Sequence, residues 1–462
     1  MQTNSTRRRF IAGSTTAGIV AVAGCLSETD GDETDDATGD DDANGDDAEE
    51  TDDATELEDV DYEVWALDQG TDTIHVYEPG EGETEFDRVE CLDLHDVGVD
   101  IAADADIVPH MIDFSSDYEY AAVACTAGRR VLVFRTEDYE LVGDVETGPG
   151  SHMAIFSPDD EYIHVDVIDE EAVARVDADL ENESFEEVDR LELAEDETVQ
   201  EAGIESASPI CHQFDGQGRS IHTLGPSYHD AGVVIVDHEA FEVERAYSGD
   251  ELPANCGTMP HFEDGKFYLT AGLPSDPEEG EDGVGEYYVY DVEADEIVVD
   301  GESTRGVDAH GFWFTPDGEE LWVLNRETND GVVVDPETDE VVEEIDAYGP
   351  AQSDDPAERD APDIMWTSPD GEYMFVTLRG PAPLSGDPHA ATGVTPGFSV
   401  LDIESREIVD VVEPDPIDDY DDDEVQAAQE GEADAPAIPD FHGLGVRVLG
   451  DADGEIPNSP PF

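Results

Sequence analysis

Residues 308 to 345 read DAHGFWFTPDGEELWVLNRETNDGVVVDPETDEVVEEI. Four short runs of β-branched and aromatic residues are separated there by TPDG, ETND and PETD, whose Pro, Gly, Asp, Asn and Thr favour turns over regular pairing. No stretch of helical period and length competes with this pattern. Four strands joined by short turns describe one small antiparallel sheet, which is marginal alone and stable only when repeated and packed face to face.

Copies of the same unit lie on both sides. PDIMWTSPDGEYMFVTLRG from Pro362 repeats its first half, and PHMIDFSSDYEYAAVACTAGRRVLVFRTEDYELVGDV from Pro109 and SHMAIFSPDDEYIHVDVIDEEAVARVDADL from Ser151 precede it. Looser copies begin near Ser208 and Asn255. With DYEVWALDQGTDTIHVYEP these make seven units, although the loose framing of units four and five leaves six or eight open. The first unit lacks an inner strand, and Phe441 to Val448 (FHGLGVRV) supplies one from the far end of the chain. Such closure removes the exposed sheet edges of the ring. The motifs resemble the YVTN-type (YncE-like) β-propeller repeat, with its SPDG turn between strands. The resemblance covers about residues 60 to 450 and implies an all-β, seven-bladed propeller; it says little about chemistry, since this fold hosts unrelated activities.

Composition divides the remainder. The 462 residues carry 123 Asp and Glu against 18 Lys and Arg, a formal net charge of −105. Nucleic acid and anionic membrane surfaces are thereby repelled. Acidic excess with Lys266 as the only lysine resembles the proteins of halophilic archaea, whose concentrated salt screens such self-repulsion. Residues 1 to 24 hold no acid. Arg7-Arg8-Arg9-Phe10 and the apolar run to Gly24 resemble a twin-arginine (Tat) signal, and Ala21-Val22-Ala23-Gly24-Cys25 a lipobox, with Cys25 lipidated after cleavage. Residues 25–59 form an acidic linker that cannot bury enough apolar surface to fold, residues 60–450 the propeller, and 451–462 a tail. The expected location is the cell surface, anchored to the cytoplasmic membrane through the lipid alone.

Histidines mark the head of the units. His110, His152 and His310 each stand four residues before Phe and five before the Ser or Thr of the turn, and the same frame puts Asp363 there in the seventh unit. His212, His261 and His442 occupy the corresponding place in the others. One such group per blade would ring one mouth of the central channel with donors able to hold zinc or copper. Met111, Met153, Met259 and Met365 lie within two residues of the ring positions and read as filler between blades. Seven-bladed propellers with channel histidines include nitrous oxide reductase and periplasmic zinc metallochaperones. This chain lacks the His-His pair and cupredoxin domain of the first and the His-rich acidic loop of the second.

Four cysteines remain after Cys25. Outside the cell they are expected to pair between neighbouring blades, Cys91 with Cys125 and Cys211 with Cys256, the competing use of Cys211 being as a metal ligand. No G-x-S-x-G, Walker A, G-x-G-x-x-G, H-E-x-x-H or C-x-x-C-H occurs. The inserts Pro381–Pro396 and Asp415–Ala435 are long enough to roof one face. The functional expectation is a monomeric, surface-anchored binding module with a transition metal at the ring, serving other cell-surface or redox proteins. An oxidoreductase or lactonase-like enzyme at the same mouth and a metal-free interaction scaffold are the alternatives.

Overall fold

The computed structural model describes residues 60–449 apart from 81, 83, 103–104, 216–217, 226–227, 229–231, 262–264, 277–279, 354, 415–419 and 433–434. The segment expected to be a Tat signal and lipobox, Cys25, the acidic stretch after it and the C-terminal residues lie outside the described residues. Among the described residues, twenty-eight strands form seven four-stranded antiparallel sheets, each a blade. Six blades are consecutive meanders. In the remaining one, blade 1, Phe441–Val448 pairs with Tyr62–Asp68 from the other end of the propeller, Val446 opposite Val64 and Tyr62 opposite Val448. The seven-bladed reading and its closure are both borne out.

The repeated turn explains the motif. Ser115, Ser157, Thr315 and Ser368 each donate a hydroxyl hydrogen bond to the Asp two residues on, and each hydroxyl accepts the amide five residues on, from Tyr120, Tyr162, Glu320 and Tyr373. The fourth turn position is left-handed, with Gly318 at φ 70° and Gly371 at φ 72°, where glycine costs least. Tyr118 and Asp160 hold the same place at φ 58° and 56°.

Burial falls from axis to rim. The inner strand Tyr120–Cys125 is buried throughout, whereas the outermost strand Glu340–Ile345 is mostly exposed. Carboxylates therefore collect on outer strands and turns, and apolar side chains fill the space between blades. Met111 and Met153 pack with Ile155, Ile210, Cys211 and Phe214, consistent with filler. No helix among the described residues is long and apolar enough to cross a membrane. The two inserts do fold over one face: Asp422–Gln429 is a helix capped by Asp421 and Glu424, and Val425 packs on Ala382 and Ile438.

In blades 1 and 6 the innermost strand runs so close to its neighbour that a side chain is excluded at one position. A Cβ on Gly311 would meet the Asp363 carbonyl oxygen well inside contact, and one on Gly443 the His110 carbonyl. Gly311→Ala should cost about 1–3 kcal/mol, read as a lower unfolding temperature in concentrated KCl. An unchanged midpoint would show that the blades part easily at the axis.

Candidate functional site

A register shift opens nearly every innermost strand. It falls between Pro109 and Met111, Ser151 and Met153, Pro209 and Cys211, Ala309 and Phe312, and Pro362 and Met365, and opposite Ala66 to Asp68 in blade 1. A bulge leaves a residue out of the ladder and re-aims its side chain. The residues so placed are His442, His110, His152, Ile210, His310 and Asp363 in blades 1, 2, 3, 4, 6 and 7.

Two of the expected ring members are corrected by this frame. In blade 5 the His261 amide donates to the Lys266 carbonyl at 2.8 Å, as Ser115 does to Tyr120 and Thr315 to Glu320, each at 2.9 Å. His261 is therefore the turn residue at the far end of Thr258–Pro260, stacked edge-on against Phe314. Five residues back stands Cys256, which the sequence frame missed. In blade 4, Phe214 lies opposite Ser220 as Phe314 lies opposite Leu321, so the ring position is Ile210 and His212 sits two residues beyond it.

Six of the seven ring side chains make a continuous polar arc. Cys256 Sγ is 2.7 Å from His310 Nδ1, and His310 Nε2 is 2.7 Å from Asp363 Oδ1. His442 Nε2 lies 3.6 Å from Asp363 Oδ2, its Nδ1 donating to the His110 carbonyl at 3.1 Å. The His442 ring stacks on His110 at 3.7 Å, and His110 Nε2 meets His152 Nε2 at 2.7 Å. Gln69 fixes the proton order. Its Oε1 accepts from Ser385 and Arg379, so its Nε2 donates to His110 Nδ1, and His110 in turn donates through Nε2 to His152. Ser385 belongs to the insert Pro381–Pro396, which thus roofs this mouth.

The arc is electrostatically closed. Burial holds His110 and His442 well below the usual histidine range and His152 at about 4, so all three are neutral. Asp363, wholly buried, would be raised by desolvation, yet the charged His310, Arg379 and Arg326 hold it well below the carboxylate range. Arg379 Nη1 reaches Asp363 Oδ2 at 2.6 Å while its other nitrogens grip Asp440 at 2.7 and 2.8 Å. Arg326 Nη1 stands 3.5 Å from Asp363 and 3.4 Å from His310 Nε2, with its Nε on Asp308.

A second cluster lies between blades 3 and 4. Asp166, on Tyr162–Val167, places Oδ2 2.8 Å from His212 Nδ1 and Oδ1 2.8 Å from His222 Nδ1. All three residues have zero exposure. His222 Nε2 is 2.9 Å from Ser220 Oγ, and His212 Nε2 is buried without a partner. Desolvation would raise the Asp166 carboxyl, but the two imidazoles outweigh it and hold it well below its usual range. His222 and Asp166 sit on second strands, where sequence offers no frame to distinguish them from packing residues.

Both clusters bring three metal-competent atoms within 4.8 Å of one another: His310, Asp363 and His442 at the axis, and Asp166, His212 and His222 between blades. They differ in counter-charge. Asp363 is already matched by two guanidinium groups, so a metal dication there would stand against Arg326 and Arg379. No Lys or Arg partner meets Asp166 among the described residues.

All four described cysteines are free thiols. The expected disulfides are therefore not formed. Cys91 faces solvent on the outer strand Phe86–Asp93, away from the axis where Cys125 is buried, and Cys256 turns to His310.

No protein-family profile and no curated protein sequence matches this chain. Solved structures similar to it include Kuenenia stuttgartiensis hydrazine synthase, at 13% identity and TM-score 0.47 over 66% of this chain and 80% of that one. A Bacteroides uniformis protein described as a 6-phosphogluconolactonase matches at 14% and 0.45, over 60% and 78%. The Dos1 propeller matches at 14% and 0.47, over 67% and 71%. These likenesses concern the propeller fold alone.

His310 carries a pH prediction. Burial and Arg326 push it down, but Cys256 and Asp363 outweigh them and raise it to about 9 from an ordinary 6.5. A histidine raised on folding adds stability that is complete below about pH 6.5 and is lost as pH rises through about 9. Buried Asp113, raised by desolvation to about 8, loses its contribution in the same direction. Denaturation midpoints should fall over that range in the native protein and less steeply in His310→Gln; parallel slopes would remove His310 from the protonated set.

Proposed function

We propose that this chain is a Tat-exported, lipid-anchored β-propeller that binds a transition metal, zinc or copper, and serves as an interaction module at the cell surface. The N-terminal twin arginines and lipobox support the location, and the acidic surface suits an exterior in concentrated salt. The metal reading is carried by one observation: a fully buried carboxylate, Asp166, faces two imidazoles and no cation. An isolated buried charge costs several kcal/mol unless it is matched. Asp166, His212 and His222 offer one oxygen and two nitrogens, a donor set that zinc and copper both accept. With the lone pair at Nδ1 used for ligation, His222 would donate through Nε2 to Ser220, the second-shell bond that orients a ligand imidazole. Enclosure on all sides suits a metal retained between blades rather than exchanged.

Protein folded in concentrated KCl with excess zinc or copper should retain one equivalent after gel filtration. Asp166→Asn and His222→Ala should each lose it, with a metal affinity at least about tenfold weaker, while His310→Ala and His442→Ala keep it. Retention in the first pair with loss in the second would return the metal to the axial ring. No retained metal in the native protein would leave the metal-free scaffold. Circular dichroism separates lost ligands from lost fold.

A further inference from the structure

We propose that Cys256, His310 and Asp363 form a nucleophilic thiol relay at the channel mouth, which takes an acyl group from an ester or thioester. The three residues head blades 5, 6 and 7 at the same repeat position, so the ring itself sets their spacing. Sγ to Nδ1 and Nε2 to Oδ1 are both 2.7 Å, which joins nucleophile, base and orienting carboxylate in one line. The carboxylate is immobilised by Arg379, which Asp440 holds in turn. The groups facing the pair are Arg326 from blade 6, His442 from blade 1, His152 from blade 3 and Cys211 from blade 4. The His310 side chain retains 15% of its exposure and Cys256 6%, so the pair borders the channel rather than the closed core. Cys125 and Cys211, buried and without a basic partner at hydrogen-bond distance, are pushed well above the usual thiol range.

The chemistry balances without an external oxidant or reductant. His310 holds the proton at Nδ1 as an imidazolium, and the Cys256 Sγ, as thiolate, bonds to the carbonyl carbon. The carbon–oxygen or carbon–sulfur bond to the leaving group then breaks, and that group takes the proton from His310. Water, deprotonated by the now neutral imidazole, attacks the acyl-thiol to release a carboxylic acid and restore the Cys256–His310 pair with the proton on Nδ1. None of the three residues is among the ligands assigned to the metal, so the relay stands or falls separately.

Alkylation by iodoacetamide in concentrated KCl, followed residue by residue with mass spectrometry, distinguishes the relay from a packed thiol. Access alone would rank exposed Cys91 first. The relay predicts that Cys256 reacts about tenfold or more faster than Cys91 near pH 7, with a rate nearly flat down to about pH 6. His310→Gln should remove that advantage, and Cys256→Ser the adduct. Incubation with p-nitrophenyl acetate should leave an acetyl group on Cys256 and a burst of nitrophenol. Slower labelling than Cys91, a rate unchanged by His310→Gln, or a rate rising tenfold per pH unit as for an ordinary thiol would overturn the relay. Rapid alkylation with no acetyl adduct would overturn the acyl-transfer step. Should His310→Gln fail to fold, the pH profile of the native protein decides alone.

Discussion

Each head of an innermost strand must bring the chain from a loop into the tightest part of a seven-sheet ring, and the bulge is how the backbone meets that constraint. One residue is left out of the ladder and its side chain turns to the axis, and in blades 1 and 6 the residue after it comes against the carbonyl of the next blade. Gly443 and Gly311 follow His442 and His310 for that reason. The arc of polar groups is thus a product of how strands enter the sheet. Once aimed inward, those groups lose water and must satisfy one another, which they do through Asp363, Arg379 and the chain Gln69–His110–His152.

Charge follows the same radial order. The outer strands carry acids that remain hydrated, while at the axis each acid is matched: Asp308 by Arg326, Asp440 by Arg379, and Asp363 by both. Asp166 has no such cation, and its partners are two imidazoles. That difference, rather than proximity of donor atoms, separates the two clusters as metal sites, because proximity is shared by both.

The propeller and its closure were legible in sequence because the Ser/Thr–x–Asp–Gly turn is a local device, set by a hydroxyl, a carboxylate and a left-handed position within four residues. The ring was legible where that turn is intact, in blades 2, 3, 6 and 7. Blade 5 puts His261 at the hydroxyl's place, and blade 4 closes its turn from Asp215 to Arg219, one residue shorter, so the count back to the axis lost its anchor and Cys256 and Ile210 were passed over. His442 was found through the closure instead. Asp166 and His222 meet only when two blades pack, and no local pattern encodes that contact. The expectation of a Cys91–Cys125 disulfide failed through radius: outer-strand Cys91 and inner-strand Cys125 sit at different distances from the axis although their blades are adjacent.

Sevenfold repetition alone would make the mouth the same in every direction. Ile210 prevents this. It leaves one aliphatic sector, backed by Met111 and Met153, in an otherwise polar circumference, with Arg326 and Arg379 in blades 6 and 7. The circumference is therefore apolar on one side and charged but internally paired on the other, so the propeller's near-symmetry stops at its mouth.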